Sequence, residues 1–396
     1  MRILFLAQRM PYPPDKGDKI RSSFELATLA SQHEVDLCCF YDDPSDAQHV
    51  GRLHRMCRTV YAEPLWPWQA RWKAAVALPA GRPLSLGWFH SPRMQAQVHR
   101  LLERWRHDLV FVFGTPMAQY VPPLHRGVVL DMVDVDSEKW RQYGGWLLGL
   151  EARRLAAAEV ALARRSARVL MSTPVEAATL REQAPDAAIE VWSNAIDLDY
   201  WNAEKIVLSA EISRLQPFVV FTGCMQYRPN VDAARWFVTR HLPLLRQRLP
   251  AAKFVIVGRH PGRAVRALGA YPGVVITGEV PDVRPYLAGA AAAVAPMRLG
   301  RGFPNKVLEA LAMQRPVVAT RVVADALHAD LARSIVVEEG PATAAAALAR
   351  LLEQPRPLGS WVRDACERHH GAAVVGPQLL ELCGAVVAET RSLTAR

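Results

Sequence analysis

Short apolar runs recur along the chain, each followed by a longer segment with helical periodicity, and this alternation leaves few folds open. Ile3–Ala7 leads into the helical pattern Ser22–Ala30 and then into Glu34–Phe40. Leu109–Phe113, Val128–Val133, Val169–Ser172 and Ile189–Trp192 continue the series, and the clearest helical segment among them is Trp146–Arg165. Runs that are apolar throughout mark strands buried on both faces, so the βαβα rhythm predicts a parallel sheet covered by helices on either side. A less regular stretch, Asn194–Gln216, interrupts the rhythm. It restarts with strand Phe218–Thr222, helix Val231–Leu249, strands Phe254–Val257 and Val274–Thr277, and helix Val283–Ala288. Strand Ala292–Ala295, helix Pro304–Met313, strand Val317–Thr320 and the Ala-rich helix Ala342–Leu352 follow. A chain of 396 residues suits two domains. The prediction is an α/β protein of two doubly wound, Rossmann-like domains, 1–200 and 201–375, with a helix over 376–396 packing back toward the first. Ligands of open parallel sheets collect beyond the carboxyl ends of the strands. Two such domains facing a central cleft suit an enzyme that brings two substrates together.

Composition narrows the partners. The net charge of +10, carried mostly by arginine, suits phosphate-bearing small molecules, an anionic membrane face or nucleic acid. No helix-turn-helix, RNP or zinc-finger pattern is present, so nucleic acid is the weakest of the three. Cysteines at 38, 39, 57, 224, 366 and 383 form no C-x-x-C pair or Cys/His cluster, which argues against a zinc site or a disulfide framework. The adjacent His369 and His370 read as surface residues. No apolar run reaches the ~18 residues needed to span a bilayer. The opening Met1–Arg9 is too short and lacks a cleavage site for a signal peptide, so it reads as a buried strand and the expected location is the cytosol.

The most informative segment runs from Pro296 to Met313. A strand ends near Ala295, a basic, glycine-containing loop follows, and Pro304 suits the first turn of a helix, where a missing N–H is no loss. At ~100° per residue Val307, Leu308 and Leu311 share one face. Asn305, Lys306 and Glu309 fall on the other, toward the helix start. A helix N-terminus offers free N–H groups and partial positive charge to a phosphate. Arg298, Arg301 and Lys306 can add charge-assisted hydrogen bonds, and a carboxylate such as Glu309 can accept the hydroxyls of a ribose. A solvated helix with a capping loop fits the helical pattern alone about as well.

The pattern Gly302-x-x-Asn305-Lys306-x-x-x-Glu309-Ala310-x-Ala312, followed by Pro316-Val317-Val318-Ala319, resembles the donor-site motif of GT-B-fold, retaining glycosyltransferases of family 4 (group 1). Upstream, Gly278-Glu279-Val280-Pro281-Asp282 resembles the loop that borders the nucleobase in that family. Thr222-Gly223-x-Met225-x-Tyr227-x-Pro229-Asn230-x-Asp232-Ala233 resembles the first strand, loop and helix of its second domain. In the first half, Pro11-x-Pro13-Pro14-x-x-Gly17-x-x-x-Arg21 sits where the family has its N-terminal loop, and Gly17 would let backbone N–H groups approach the donor phosphate. Asp131-x-x-Asp134-x-Asp136-Ser137-x-Lys139-Trp140 and Asn194-Ala195-Ile196-Asp197 also match. The likeness covers 1–375 and is nearest to the sugar transferases associated with PEP-CTERM/exosortase exopolysaccharide systems.

The resemblance implies a donor, a UDP- or GDP-sugar, bound by the second domain and a glycan or lipid-linked acceptor bound by the first. It also implies retention of configuration, with no cofactor and no metal. Glu309 would bind the ribose, while Lys306, Arg298 and Arg301 would hold the diphosphate. Gly17, Gly223, Gly302, Asn305 and Val280 would line the donor site, and Asp134 would serve on the acceptor side. Two departures stand out. The first of the family's two glutamates, eight apart, falls at Arg301, and Val133 occupies the place of a histidine. Asp134-Val135-Asp136 could be taken for the metal motif of GT-A transferases, but those have one nucleotide-binding domain and would leave the second half unexplained. A GT-B-fold epimerase or phosphorylase would use the same cleft and turn over without this acceptor. A non-catalytic protein would bind donor and transfer nothing. Lastly, Trp66, Trp68, Trp72, Trp88 and Phe89 lie among Arg71, Lys73, Arg82 and Arg93. This mixture suits either an anionic membrane interface or a helical insertion packed on the first domain.

Overall fold

The computed structural model describes residues 1–77 and 81–394. Residues 78–80, inside the tryptophan-rich stretch, and 395–396, after the closing helix, lie outside the described residues. Two compact units result: Met1–Ala195 with Val375–Arg396, and Ile196–Val374.

Seven strands build the first unit: β1 (Arg2–Ala7), β2 (Glu34–Tyr41), β3 (Thr59–Pro64), β4 (Leu109–Phe113), β5 (Val128–Val133), β6 (Arg168–Met171) and β7 (Ile189–Val191). They are parallel throughout, in the order β3-β2-β1-β4-β5-β6-β7. Because strand side chains alternate in direction, Leu4 and Leu6 enter one core layer while Ile3 and Phe5 enter the other. Both layers are closed by helices, which is why β4 is apolar and buried at every position. Five of the unit's helices matter below: α1 (Gly17–Ala30), α2 (Pro67–Ala77), α3 (Leu84–Trp88), α4 (Asp136–Tyr143) and α5 (Trp146–Arg165). β3 escapes the apolar-run criterion because it is a half-buried edge strand.

In the second unit the strands are β8 (Phe218–Thr222), β9 (Lys253–Val257), β10 (Val274–Gly278), β11 (Ala292–Ala295), β12 (Val317–Thr320) and β13 (Val336–Glu338). Their order is β10-β9-β8-β11-β12-β13, again parallel. The helices used below are α6 (Arg228–Trp236), α7 (Asn305–Ala312) and α8 (Ser360–His370). The single helix expected over Val231–Leu249 is interrupted. α6 runs into a π turn at Phe237–His241 before helix resumes at Leu242, where Pro243 has no N–H to give.

The chain then re-enters the first unit as α9 (Ala372–Thr394), whose Val375, Leu379, Cys383, Val386 and Val387 join Ile3, Phe5 and Leu26 in one core layer. Over Ala372–Leu393 this helix is long and apolar enough to cross a membrane. That corrects the sequence expectation that no stretch of the chain reaches such a length. In this fold its apolar side is spent on the core. The domain limit also moves from 200/201 to 195/196. Ile196 bridges Gly371, and the Arg363 guanidinium donates to the carbonyls of Leu198 and Trp201, tying 196–201 to the second unit.

Each sheet reverses its winding beside its first strand, between β1 and β4 and between β8 and β11. Ligands of doubly wound sheets bind at this switch point, at the strands' carboxyl ends.

Candidate active site

At the switch point of the second unit, β8 ends and Gly223 takes φ +147°. A Cβ there would meet the Asn230 Nδ2 at 2.7 Å and the Lys306 Nζ at 3.2 Å, so only glycine leaves room for these groups. On the neighbouring strand, β11 gives way to the loop 296–304. The Thr320 hydroxyl donates to the Met297 carbonyl at 2.6 Å and pins the root of this loop, while Gly300 and Gly302 turn it at φ +102° and +89°. Pro304 caps the following helix instead of opening it, so α7 begins at Asn305. Val307, Leu308 and Leu311 are buried against the sheet, which leaves Asn305, Lys306 and Glu309 half-buried on the opposite side. The free N–H groups and partial positive charge of the helix start belong to this end.

The Lys306 ammonium donates to the Asn230 Oδ1 at 2.7 Å and sits 4.1 Å from the centre of the Phe221 ring. Burial lowers its pKa to about 7, with the Glu309 carboxylate opposing the shift. Burial likewise raises Glu309 to about 7, with Lys306 opposing. Near neutral pH both groups can therefore exchange a proton, and an arriving anion would favour the charged ammonium. Arg298 is held by two hydrogen bonds to Asp232, at 2.6 and 3.1 Å, and lies 4.9 Å over Trp236. α6 thus supplies Asn230, Asp232 and Trp236 as the surface that gathers Gly223, Arg298 and Lys306. Arg301 and Gly302 occupy the loop between, Asn305 is the first residue of α7, and Val280 follows β10, packed against the core beneath. Beyond β10, Arg284 pairs with Asp282 at 2.7 Å and stacks 3.8 Å over Tyr200, whose hydroxyl feels the Glu309 charge.

The first unit holds the other two candidates. Gly17 is the first residue of α1. Asp134 follows β5 and is nearly buried, accepting from the Ser172 hydroxyl at 2.8 Å and the Lys139 ammonium at 2.7 Å. Lys139 also reaches Asp136 at 2.9 Å, so one cation spans the Asp-x-Asp pair. Val133, just before, has φ +68°, a left-handed conformation that strains a β-branched residue. Its amide donates to the Asp131 Oδ1 at 3.1 Å.

Sequence reasoning quoted Asn230 and Asp232 within a pattern without giving them a role, and passed over Trp236, Tyr200 and Arg284. The signal for the first two was their position one turn into the helix after Gly223. His369 and His370 also divide. His370 is buried with its ring 4.7 Å from Phe303, which corrects its surface assignment. His369 bonds to Asp330 at 2.9 Å beside His328, a grouping that linear spacing hides.

Residues 216–354 match the family model described as glycosyl transferases group 1. The match lies wholly in the second unit and spans every residue of the strand-end cluster except Tyr200. No curated protein sequence matches the chain. Among solved structures, sucrose-phosphate synthase from Thermosynechococcus elongatus is similar at 17% identity over 98% of this chain and 100% of that one, with a TM-score of 0.72. HepE from Anabaena, in complex with UDP and glucose, is similar at 15% identity over 97% and 100%, with a TM-score of 0.68. WaaG, a glycosyltransferase involved in lipopolysaccharide biosynthesis, is similar at 18% over 98% of both chains, with a TM-score of 0.58. The fold is that of GT-B glycosyltransferases such as WaaG and HepE.

Proposed function

We propose that this chain is a family 4, group 1 glycosyltransferase that moves a hexosyl group from a UDP- or GDP-sugar to a glycan or lipid-linked acceptor, with retention of configuration. Exopolysaccharide biosynthesis of the PEP-CTERM/exosortase type, at the cytoplasmic face of a membrane, is the setting we assign to it. The observation that carries the reading is the Lys306 ammonium, buried beside Gly223 at a helix start on a switch point, within the group 1 match.

A diphosphate at this point would meet the α7 N–H groups, the Gly223 backbone and the Lys306 charge together. Arg298, swinging from Asp232, adds a second cation, and Arg301 a third from the loop. Negative charge grows on the diphosphate as the glycosidic bond breaks, so these preorganised donors act most strongly in the transition state. The leaving phosphate oxygen can take the acceptor's proton, which dispenses with a separate base. Glu309, one turn further along α7, is placed for the ribose hydroxyls, and Asn305 and Val280 border the same site. For Gly17 and Asp134, in the first unit, the proposed roles stay those that the resemblance implies, backbone N–H groups for a donor phosphate and an acceptor-side carboxylate. Lys139 spanning Asp134 and Asp136 supports a reaction that does not call on a metal at that pair.

Calorimetry with UDP-, GDP-, ADP- and TDP-sugars tests the reading. One class should bind at a single site in the wild type and at least tenfold more weakly in Lys306→Ala, with EDTA changing neither. Binding of none of them, or a strict need for a divalent ion, refutes it.

A further inference from the structure

We propose that the first unit docks on an anionic lipid bilayer through a tryptophan-bearing face formed by α2 and the start of α5. The aromatic stretch of the sequence separates into two halves. Phe89 is buried with its ring 6.0 Å from Phe40, and Trp88 packs against the same core. On α2 the usual order is inverted. Among the described side chains Ala70 is fully buried, whereas Trp68, Trp72 and Val76 are 70%, 71% and 54% exposed. Their i, i+4, i+8 spacing puts them in one stripe along the helix. An apolar helix face left this exposed among the described residues marks an interaction surface.

A second exposed aromatic residue begins a helix fastened to the same group of elements. The Glu151 carboxylate of α5 receives the Leu84 and Ser85 amides at 2.8 and 3.2 Å, fastening α5 to the start of α3, which packs on α2. Five residues before Glu151, Trp146 begins α5 directly after Gly144 and Gly145 and is 83% exposed.

The charge pattern selects the occupant. From Pro64 to Leu102 the chain contains no acidic residue, yet it carries Arg71, Lys73, Arg82, Arg93 and Arg100. A partner protein surface would have to be acidic as well as apolar to meet such a face. An anionic bilayer offers both at once, headgroup phosphates for the cations and an interfacial zone in which indole rings are favoured. The attraction of each basic side chain to such a surface is electrostatic, so salt screens it.

Co-sedimentation of the full chain with phosphatidylcholine vesicles, with and without phosphatidylglycerol, tests this without donor or acceptor. Expected is binding to the anionic vesicles only, weakened by salt, and reduced on the order of tenfold for each indole withdrawn in Trp68→Ser, Trp72→Ser and Trp146→Ser. Nucleotide-sugar affinity in the same variants should stay at the wild-type value, which separates this surface from the sugar-transfer reading. Failure to bind anionic vesicles at low salt overturns the proposal, as does undiminished binding by the triple variant. A concentration-dependent dimer in ultracentrifugation that the triple variant abolishes would overturn it too, by giving the face to a second copy of the chain.

Discussion

At the carboxyl ends of two sheets wound in the same order, buried cations are treated in opposite ways. In the first unit Arg21 is fully enclosed. Its guanidinium grips Asp131 with bonds of 2.6 and 3.0 Å and donates to the Trp192 carbonyl and the Asn194 side chain. Glu25 completes the set, accepting from the Trp192 indole at 3.0 Å, and its own acidity is suppressed by burial and by Asp131. In the second unit the Lys306 ammonium faces an amide oxygen and an aromatic ring, and burial pulls its proton off near pH 7. A buried cation saturated by carboxylate and carbonyl oxygens has been used to hold strands and helices in place. One hydrogen-bonded only to a neutral amide, with a single carboxylate acting on it from Glu309, retains capacity for an incoming anion.

Asp131→Ala breaks this contrast most severely. It takes from the enclosed Arg21 its two-bonded carboxylate, leaves it only Glu25 at 3.4 Å as a carboxylate partner, and should cost up to about 3–5 kcal/mol of stability in denaturant melts, the scale for a broken buried pair. A normal melt with abolished turnover would instead make Arg21 a functional group. Lys306→Ala is the converse case. It should lower kcat by on the order of a hundredfold, with the melting midpoint unchanged or higher, because a group costly to bury is gone. A destabilised variant of normal kcat would move Lys306 into the structural class. For Glu309→Ala, donor affinity measured by calorimetry should fall by about 1.5–3 kcal/mol, with the fold intact. Unchanged affinity removes Glu309 from the site.

pH sharpens the same contrast. Lys306 in the free protein loses its proton near 7, while a bound diphosphate would hold that proton on. Affinity should therefore fall as pH rises through 7, by at most about tenfold per unit, with proton uptake on binding. Lys306→Ala should flatten that slope, and a slope that survives assigns it elsewhere. The smallest effect is expected for Asp232→Ala. It frees the half-exposed Arg298 from a surface pair worth about 0–1 kcal/mol, so melts should barely move.

Much of this contrast can be read from sequence, and the remainder has a physical cause. Central strands such as β4 and β8 announce themselves because both faces are buried. β3 and β13 lie at sheet edges, where polar residues are tolerated, and they leave no apolar run. Helical periodicity puts Lys306 and Glu309 on the polar face of their helix, and the resemblance to a donor-site motif is what singles them out. Asn230 and Asp232 do not emerge as partners, because each meets its cation 76 and 66 residues away along the chain. Trp68, Trp72 and Val76 have the spacing of a core stripe. Only tertiary structure reveals that the stripe faces outward.

The route of the chain also bears on how the protein is made. Ile3 and Phe5 emerge early from the ribosome, yet the layer they occupy is closed by Val386 and Val387, far downstream. The whole of the second unit is synthesised in between and can fold as a local event, while the first waits with an open apolar face. Nascent or truncated chains that stop before Val375 would therefore present one finished unit and one sticky one. Quality control by chaperones and proteases should act on the first unit alone.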